Sequence, residues 1–282
     1  MFTTLISAEN LLAHLNDPHW VIFDCRHDLA RPEAGRQAFQ EGHLPGAHFA
    51  HLDLDLAGPK NGTNGRHPLP DRQRFIAFLR THGVDDSTQI IAYDASGGPY
   101  AARLWWLTRW IGHEAAAVLD GGLPAWSALG LPLARNASDG PSGSITLRAT
   151  RVVALGANEI LTHLEDGTQT IVDARAGERF RGEVEPLDPV AGHIPHARNR
   201  PYGSNLDAHG RFKPGATLRA EFQALLGAAR PETVVHQCGS GVTACHNLLA
   251  MEVAGLHGAA LYPGSWSEWC SDPARPIARG PD

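Results

Sequence analysis

The sequence predicts an α/β protein made of two similar halves, each a mostly parallel sheet with helices on both faces. Three observations predict it. Four sequence blocks recur in the same order in both halves, short apolar runs alternate with helical stretches, and a Gly-, Ser-, Pro- and Asn-rich segment divides the chain near its middle.

The duplication is the strongest of the three. VIFDCR (Val21–Arg26), EGHLPGAHF (Glu41–Phe49), QIIAYDASGG (Gln89–Gly98) and VLDGGLPAW (Val118–Trp126) are answered by TIVDAR (Thr170–Arg175), AGHIPHARN (Ala191–Asn199), TVVHQCGSG (Thr233–Gly241) and LYPGSWSEW (Leu261–Trp269). From Asp24 to His43 is 19 positions and from Asp173 to His193 is 20; Asp24 to Asp94 is 70 and Asp173 to Cys238 is 65.

Taken in order, Val21–Phe23, Ile90–Tyr93 and Ala116–Leu119 read as buried strands of a parallel sheet. Arg72–Thr81 carries Phe75, Phe78 and Leu79 on one face and reads as an amphipathic helix. Tyr100–Ile111 and Thr243–Val253 read as helices that follow strand–loop units, and Trp105, Trp106 and Trp126 read as core. Alternating strands and helices give an α/β domain, whose ligands bind beyond the carboxyl ends of the strands. Arg135–Ser144 is the obvious joint, so residues 1–134 form an N-terminal domain, 135–150 a linker and 151–282 a C-terminal domain.

A net charge of −6 argues against a nucleic-acid partner, which needs a basic face. Residues 1–10 lack the basic and apolar regions of a signal peptide, and no apolar run approaches the roughly 20 residues that span a bilayer. A cytoplasmic protein without membrane contact is expected. The cysteines are Cys25, Cys238, Cys245 and Cys270, with no C-x-x-C pair, so neither a zinc knuckle nor a thioredoxin-like pair is expected; the chemistry read below calls for no metal or cofactor.

Chemistry concentrates in Val234–Asn247, VVHQCGSGVTACHN. An apolar strand leads to Cys238, a loop with Gly239 and Gly241 follows, and a helix begins close to Thr243. Glycines let a backbone curl so that its amides point inward, and a helix N-terminus adds positive potential. A thiol placed there is expected to be held as its thiolate, since such surroundings lower a cysteine pKa from about 8.5 to between about 3.5 and 7.5. Cys25, Cys245 and Cys270 lack such a loop and read as buried structural thiols. Ser240 has a hydroxyl within reach of the sulfur. The position equivalent to Cys238 in the first half is Asp94, which cannot carry sulfur, so that half is expected to be non-catalytic and to wall the site.

CGSGVTA (Cys238–Ala244) resembles the active-site loop of tandem-domain rhodaneses, and within them the 3-mercaptopyruvate sulfurtransferases. HLPGA (His43–Ala47), YDASGGPYAARLWW (Tyr93–Trp106), RFRGE (Arg179–Glu183), GHIPHA (Gly192–Ala197) and GSWSEW (Gly264–Trp269) resemble further blocks of the family, so the likeness covers nearly the whole chain. The resemblance implies two rhodanese-like domains with chemistry in the second. It implies that Cys238 carries a persulfide and that the loop residues Gly239, Gly241, Val242 and Thr243 bind substrate. It also implies that His67 and Asp53 from the N-terminal half act with Ser240, with Asp55 the alternative to Asp53, and that Arg179 binds the donor carboxylate, with Arg181 its neighbour. Nine residues past Arg179, where the vertebrate enzymes of the family have a second arginine, this chain has Asp188; Arg198 and Arg200 are the candidates to replace it. His43 and His193 recur in both halves and read as structural.

The expected activity is transfer of sulfane sulfur from 3-mercaptopyruvate to cyanide, a thiol or thioredoxin. The alternative donor is thiosulfate, which the neutral Gly239–Ser240 pair disfavours; a non-catalytic rhodanese-like binding module is the third reading. A rhodanese-like phosphatase would need an arginine in the loop, and none is present.

Overall fold

The computed structural model describes residues 1–136 and 140–281, so positions 137–139 of the expected linker lie outside the described residues. Two compact units are formed. The first comprises Met1–Gly58, Leu69–Arg151 and Ala208–Phe212, the second Pro59–Pro68, Val152–Asp207 and Lys213–Asp282. Each half of the chain thus gives one short segment to the other unit. The segment from residue 140 to Arg151 runs along the first unit: Ser144 donates from backbone and hydroxyl to Asp85, Thr146 does the same to Asp86, and Ile145 is buried.

The first unit contains β1 (Leu5–Ile6), α1 (Ala8–Ala13), β2 (Trp20–Asp24), α2 (Ala34–Glu41), β3 (Ala47–Phe49), α3 (Arg72–Thr81), β4 (Gln89–Tyr93), α4 (Pro99–Trp110), β5 (Ala116–Leu119) and α5 (Gly122–Ala128). The second contains β6 (Val153–Ala154), α6 (Ala157–Thr162), β7 (Thr170–Asp173), α7 (Gly177–Phe180), β8 (Arg198–Asn199), α8 (Gly215–Leu226), β9 (Val234–Gln237), α9 (Thr243–Val253), β10 (Ala260–Leu261) and α10 (Ser265–Trp269). The sheets run β1-β5-β4-β2-β3 and β6-β10-β9-β7-β8, the same order counted within each unit, and every pairing is parallel. The α/β class with two parallel sheets and flanking helices is therefore as expected.

Local chemistry explains the elements that matter. The central strand β4, QIIAY, is buried at every residue. Its counterpart β9, VVHQ, is equally buried although it ends in polar residues. Burial pushes the His236 pKa down to about 3, so its ring is neutral, and Nε2 lies 2.9 Å from Met251 Sδ. Helix α3 starts where Asp71 accepts the Arg74 N–H at 3.0 Å, a side-chain cap. It buries Phe75, Ile76 and Leu79; Phe78, expected on the buried face, is half-buried and packs on Phe23. Pro99 sits in the first turn of α4, where no N–H is needed. Residues Ala244 to Met251 of α9 are all buried, so this helix is a core element with its N-terminus at the Cys238 loop. Trp126 lies in the core of the first unit, and Trp105 and Trp106 are equally buried; Trp266 and Trp269 lie in the core of the second.

The repeated blocks are repeated anchors. Arg26 clamps Asp24 and the Gly42 carbonyl, and Arg175 clamps Asp173 and the Gly192 carbonyl. His43 stacks on Phe39 and contacts its carbonyl through Nδ1 at 2.7 Å; His193 does so with Phe180 at 2.8 Å. Among the described residues no helix is long and apolar enough to cross a membrane.

Candidate active site

The site is built on the loop between β9 and α9. Cys238 leaves the strand buried, and the chain turns so that the N–H groups of Ser240 and Gly241 point at Sγ, at 3.5 and 3.2 Å. Gly241 adopts φ +76, and a Cβ there would lie 2.3 Å from the Pro263 carbonyl oxygen, so only glycine closes this turn. Val242 then enters helical geometry and Thr243 opens α9, whose N-terminus adds positive potential to the loop amides. Cys245, one turn on, donates its thiol to the Gly241 carbonyl at 3.3 Å and ties down the loop.

A second strap holds the loop from the other side. The Cys238 N–H is accepted by Ser265 Oγ at 3.1 Å, and that hydroxyl donates to the Tyr262 carbonyl at 2.9 Å. Trp266 and Ser267 donate their N–H groups to the carbonyls of Cys238 and Gly239, each at 3.0 Å. Ser265 takes φ +54, a conformation that L side chains rarely adopt, at the position where the first half has Gly122 at φ +55. Such strain persists where surrounding contacts over-determine it.

The segment Pro59–Pro68 brings His67 to the loop. Gly65, at φ +83, passes so close to Gly264 that a Cβ would meet its carbonyl at 2.7 Å, and the Arg66 N–H is accepted by Ser267 Oγ at 3.0 Å. This fixes His67, which is buried with Nδ1 2.7 Å from Ser240 Oγ. Arg66 extends to an ion pair with Asp188, and Arg179 pairs with Glu185 at 2.6 Å and lies 3.4 Å from Asp188. Both guanidinium groups stand over Gly239: a Cβ at that residue would lie 2.7 Å from Arg66 Nη2 and 3.5 Å from Arg179 Nη1.

Of the residues expected from sequence, Cys238, Gly239, Ser240, Gly241, Val242, Thr243, His67 and Arg179 meet in the second unit. Asp53 lies in the first, where its carboxylate is 3.9 Å from His27 Nε2; Asp55 accepts the His51 N–H at 2.8 Å. Arg181 turns to Glu183 at the surface. Arg198 donates to the Leu225 carbonyl, and Arg200 bonds Asn205 and Glu221. Arg66, Ser265 and Glu185 were not anticipated. Arg66 adjoins His67 and answers the carboxylate at 188, and that charge match is the signal that points to it.

Burial pushes the Cys25 thiol up, with the Asp24 carboxylate adding to the effect, and burial takes Cys270 up to about 11. Both thiols are protonated near neutrality and chemically inert. Among the described residues, His27, His51 and Asp53 have metal-ligand spacing, with ligand atoms within 4.8 Å of one another. His51 Nδ1 accepts the Asp53 N–H at 3.1 Å, so a neutral ring carries its proton on Nε2, which lies 3.4 Å from Glu33 Oε1. That tautomer opposes ligation through Nε2.

A buried thiol held in a glycine nest on a twice-repeated parallel α/β unit defines a class, and comparison with known proteins names it. The chain belongs to the rhodanese family: the rhodanese-like domain matches residues 7–129 and 156–272. A probable 3-mercaptopyruvate sulfurtransferase of Pseudomonas aeruginosa is 44% identical over 278 residues, 98% of each chain. A putative thiosulfate sulfurtransferase, SseB of Mycobacterium tuberculosis, is 40% identical over 98% of this chain and 97% of its own. The crystal structure of SseA from Escherichia coli, a 3-mercaptopyruvate sulfotransferase, superimposes with a TM-score of 0.81 at 30% identity, covering 94% of this chain and 99% of that one. The protein is an enzyme of the sulfurtransferase class.

Proposed function

We propose that the protein takes sulfane sulfur from 3-mercaptopyruvate onto Cys238 and passes it, in the cytoplasm, to a thiophilic acceptor. The observation that carries this reading is the convergence on Cys238 Sγ of two loop amides, with the His67–Ser240 pair and the Arg179 guanidinium at the same loop.

In the first step the Cys238 thiolate attacks the donor sulfur. The S–S bond forms as the C–S bond breaks, and the electron pair leaves on carbon as the enolate of pyruvate, which is then protonated. The loop amides and the α9 terminus hold the anionic sulfur before and after transfer. Ser240 and His67, in contact at 2.7 Å, form the proton-carrying pair. Arg179 holds the donor carboxylate. In the second step cyanide, a thiol or thioredoxin attacks the outer sulfur, and Cys238 leaves as thiolate. Covalent storage of sulfur predicts ping-pong kinetics.

Intact-mass measurement after incubation with donor should show one added sulfur atom on the Cys238 peptide, and none in Cys238→Ser. Arg179→Ala should raise KM for 3-mercaptopyruvate by roughly tenfold to hundredfold, the loss of a charge-assisted contact. Sulfur mapped to another cysteine would end the assignment.

Thiosulfate is a second reading, and one observation favours it. Gly239 and Ser240 are neutral, but Arg66 and Arg179, each paired with a carboxylate, turn guanidinium N–H groups over Gly239, so cationic donors reach the loop from outside it. The ratio of kcat/KM for the two donors decides between them.

A further inference from the structure

We infer that Arg66 is a second carboxylate-binding residue of the donor site, acting beside Arg179 and positioned by Asp188. The inference rests on the reading of Cys238 as sulfur carrier and of a carboxylate-bearing thiol as donor.

Gly239 is the first observation. It is the residue next to the nucleophile, and it is absent from the glycines with positive φ, so the backbone itself does not require glycine there. What fills the side-chain space is the pair of guanidinium groups, with Arg66 Nη2 2.7 Å and Arg179 Nη1 and Nη2 3.5 and 3.6 Å from where a Cβ would stand.

The N–H groups already engaged are the second. Arg66 uses Nη1 on Asp188 and turns Nη2 over Gly239. Arg179 uses Nε and Nη2 on Glu185, at 3.3 and 2.6 Å, and turns Nη1 to the same place. One N–H edge from each arginine therefore converges above the residue that follows Cys238. A carboxylate has two oxygens and matches two converging donors.

The third is rigidity. Asp188 is 3% exposed, and its two oxygens face one guanidinium each, Oδ1 toward Arg66 and Oδ2 3.4 Å from Arg179 Nη2. It sets the spacing of the two cations. The Arg66 backbone is anchored on Ser267, whose own N–H holds the Gly239 carbonyl at 3.0 Å, so Arg66 and the loop share one support. Preorganisation of this kind is what makes a binding group effective.

The test compares 3-mercaptopyruvate with mercaptoacetone, the same ketone thiol without the carboxylate. Arg66→Met alone would leave a buried carboxylate to compete for Arg179, so Asp188→Asn is the reference and Arg66→Met/Asp188→Asn the test variant. Against that reference the double variant should raise KM for 3-mercaptopyruvate by roughly tenfold to hundredfold. Its kcat, and KM for mercaptoacetone, should move by less than about threefold. Arg66→Lys/Asp188→Asn should recover part of the loss, because an ammonium restores charge without the planar fork. An unchanged KM in the double variant, or equal weakening of both donors, overturns the role of Arg66 while leaving Cys238 in place. A native protein that takes no sulfur from 3-mercaptopyruvate, by intact mass, removes the donor reading and this inference together.

Discussion

The loop after β4 and the loop after β9 occupy the same place in two copies of one fold, and they differ in what sits at their focus. In the first, the Asp94 carboxyl group accepts the N–H groups of Ser96, Gly98, Tyr100 and Ala101, at 2.8 to 3.1 Å. In the second, Cys238 Sγ accepts two N–H groups at longer distance. The first nest is filled by its own carboxyl group, whereas the second closes on a thiol sulfur. A shared backbone solution therefore serves as an internal anchor in one copy and, on the function proposed above, as a sulfur carrier in the other. The difference lies in one side chain and in the residues brought above it.

Copying the first loop into the second should have the largest effect. Cys238→Asp is expected to abolish sulfur transfer, by about a thousandfold or more, since no group remains to hold the sulfur. Single changes of Cys25, Cys245 and Cys270 to serine should retain most of the activity. The assay is transfer from 3-mercaptopyruvate to cyanide, with circular dichroism to establish folding. Residual turnover in Cys238→Asp would dissolve the distinction between the loops.

An intermediate effect is expected at Asp94, and it concerns stability. Burial raises the pKa of this carboxyl group, against the four backbone N–H groups that lower it. The unfolded chain has the ordinary value, so above about pH 4 the folded state holds a proton that the unfolded one has released. This contribution to stability is fullest at low pH and is lost as pH rises through the folded pKa. The stability of the native protein minus that of Asp94→Asn, from denaturant midpoints at several pH values, should therefore decline across that window and then level. A difference that widens with pH would mean that the nest holds an anion more firmly than burial opposes it.

Ser265→Gly copies Gly122 and should have the smallest effect. Relief of left-handed strain, worth about 1–2 kcal/mol, opposes the loss of two hydrogen bonds of about 1 kcal/mol each, so the melting temperature should move little. Turnover should fall by roughly a few-fold as the Cys238 amide loses its acceptor. An unchanged kcat would show that the Trp266 and Ser267 contacts position the loop unaided.

The sequence made the larger pattern legible because the pattern is repeated. Asp24 and Arg26 recur as Asp173 and Arg175 because both pairs tie a strand end to a loop carbonyl, and a physical job done twice leaves two copies of its residues. Helices α3 and α9 were readable to the residue, the first from its periodic apolar face and the second from the glycine loop before it. The two-residue strands β1, β6, β8 and β10 were not, since so few residues carry no period. Cys238, Ser240 and the glycines lie in one stretch and were found together. Arg66 was missed because its partner Asp188 lies 122 positions away, and the pairing exists only after folding. Ser265 was missed because a serine with positive φ has no local signature. Gly239 was read as a small neutral contact for substrate, whereas its missing side chain leaves room for two arginines.

The exchange of Pro59–Pro68 bears on how such a protein can evolve. Duplication ordinarily yields two separable modules, and a module that loses its chemistry becomes disposable. Here the first copy encodes Arg66 and His67, which fold into the second unit, while the second copy encodes Ala208–Phe212, which folds into the first. Deleting either copy removes parts of both. Selection on either unit therefore acts on residues encoded in both copies.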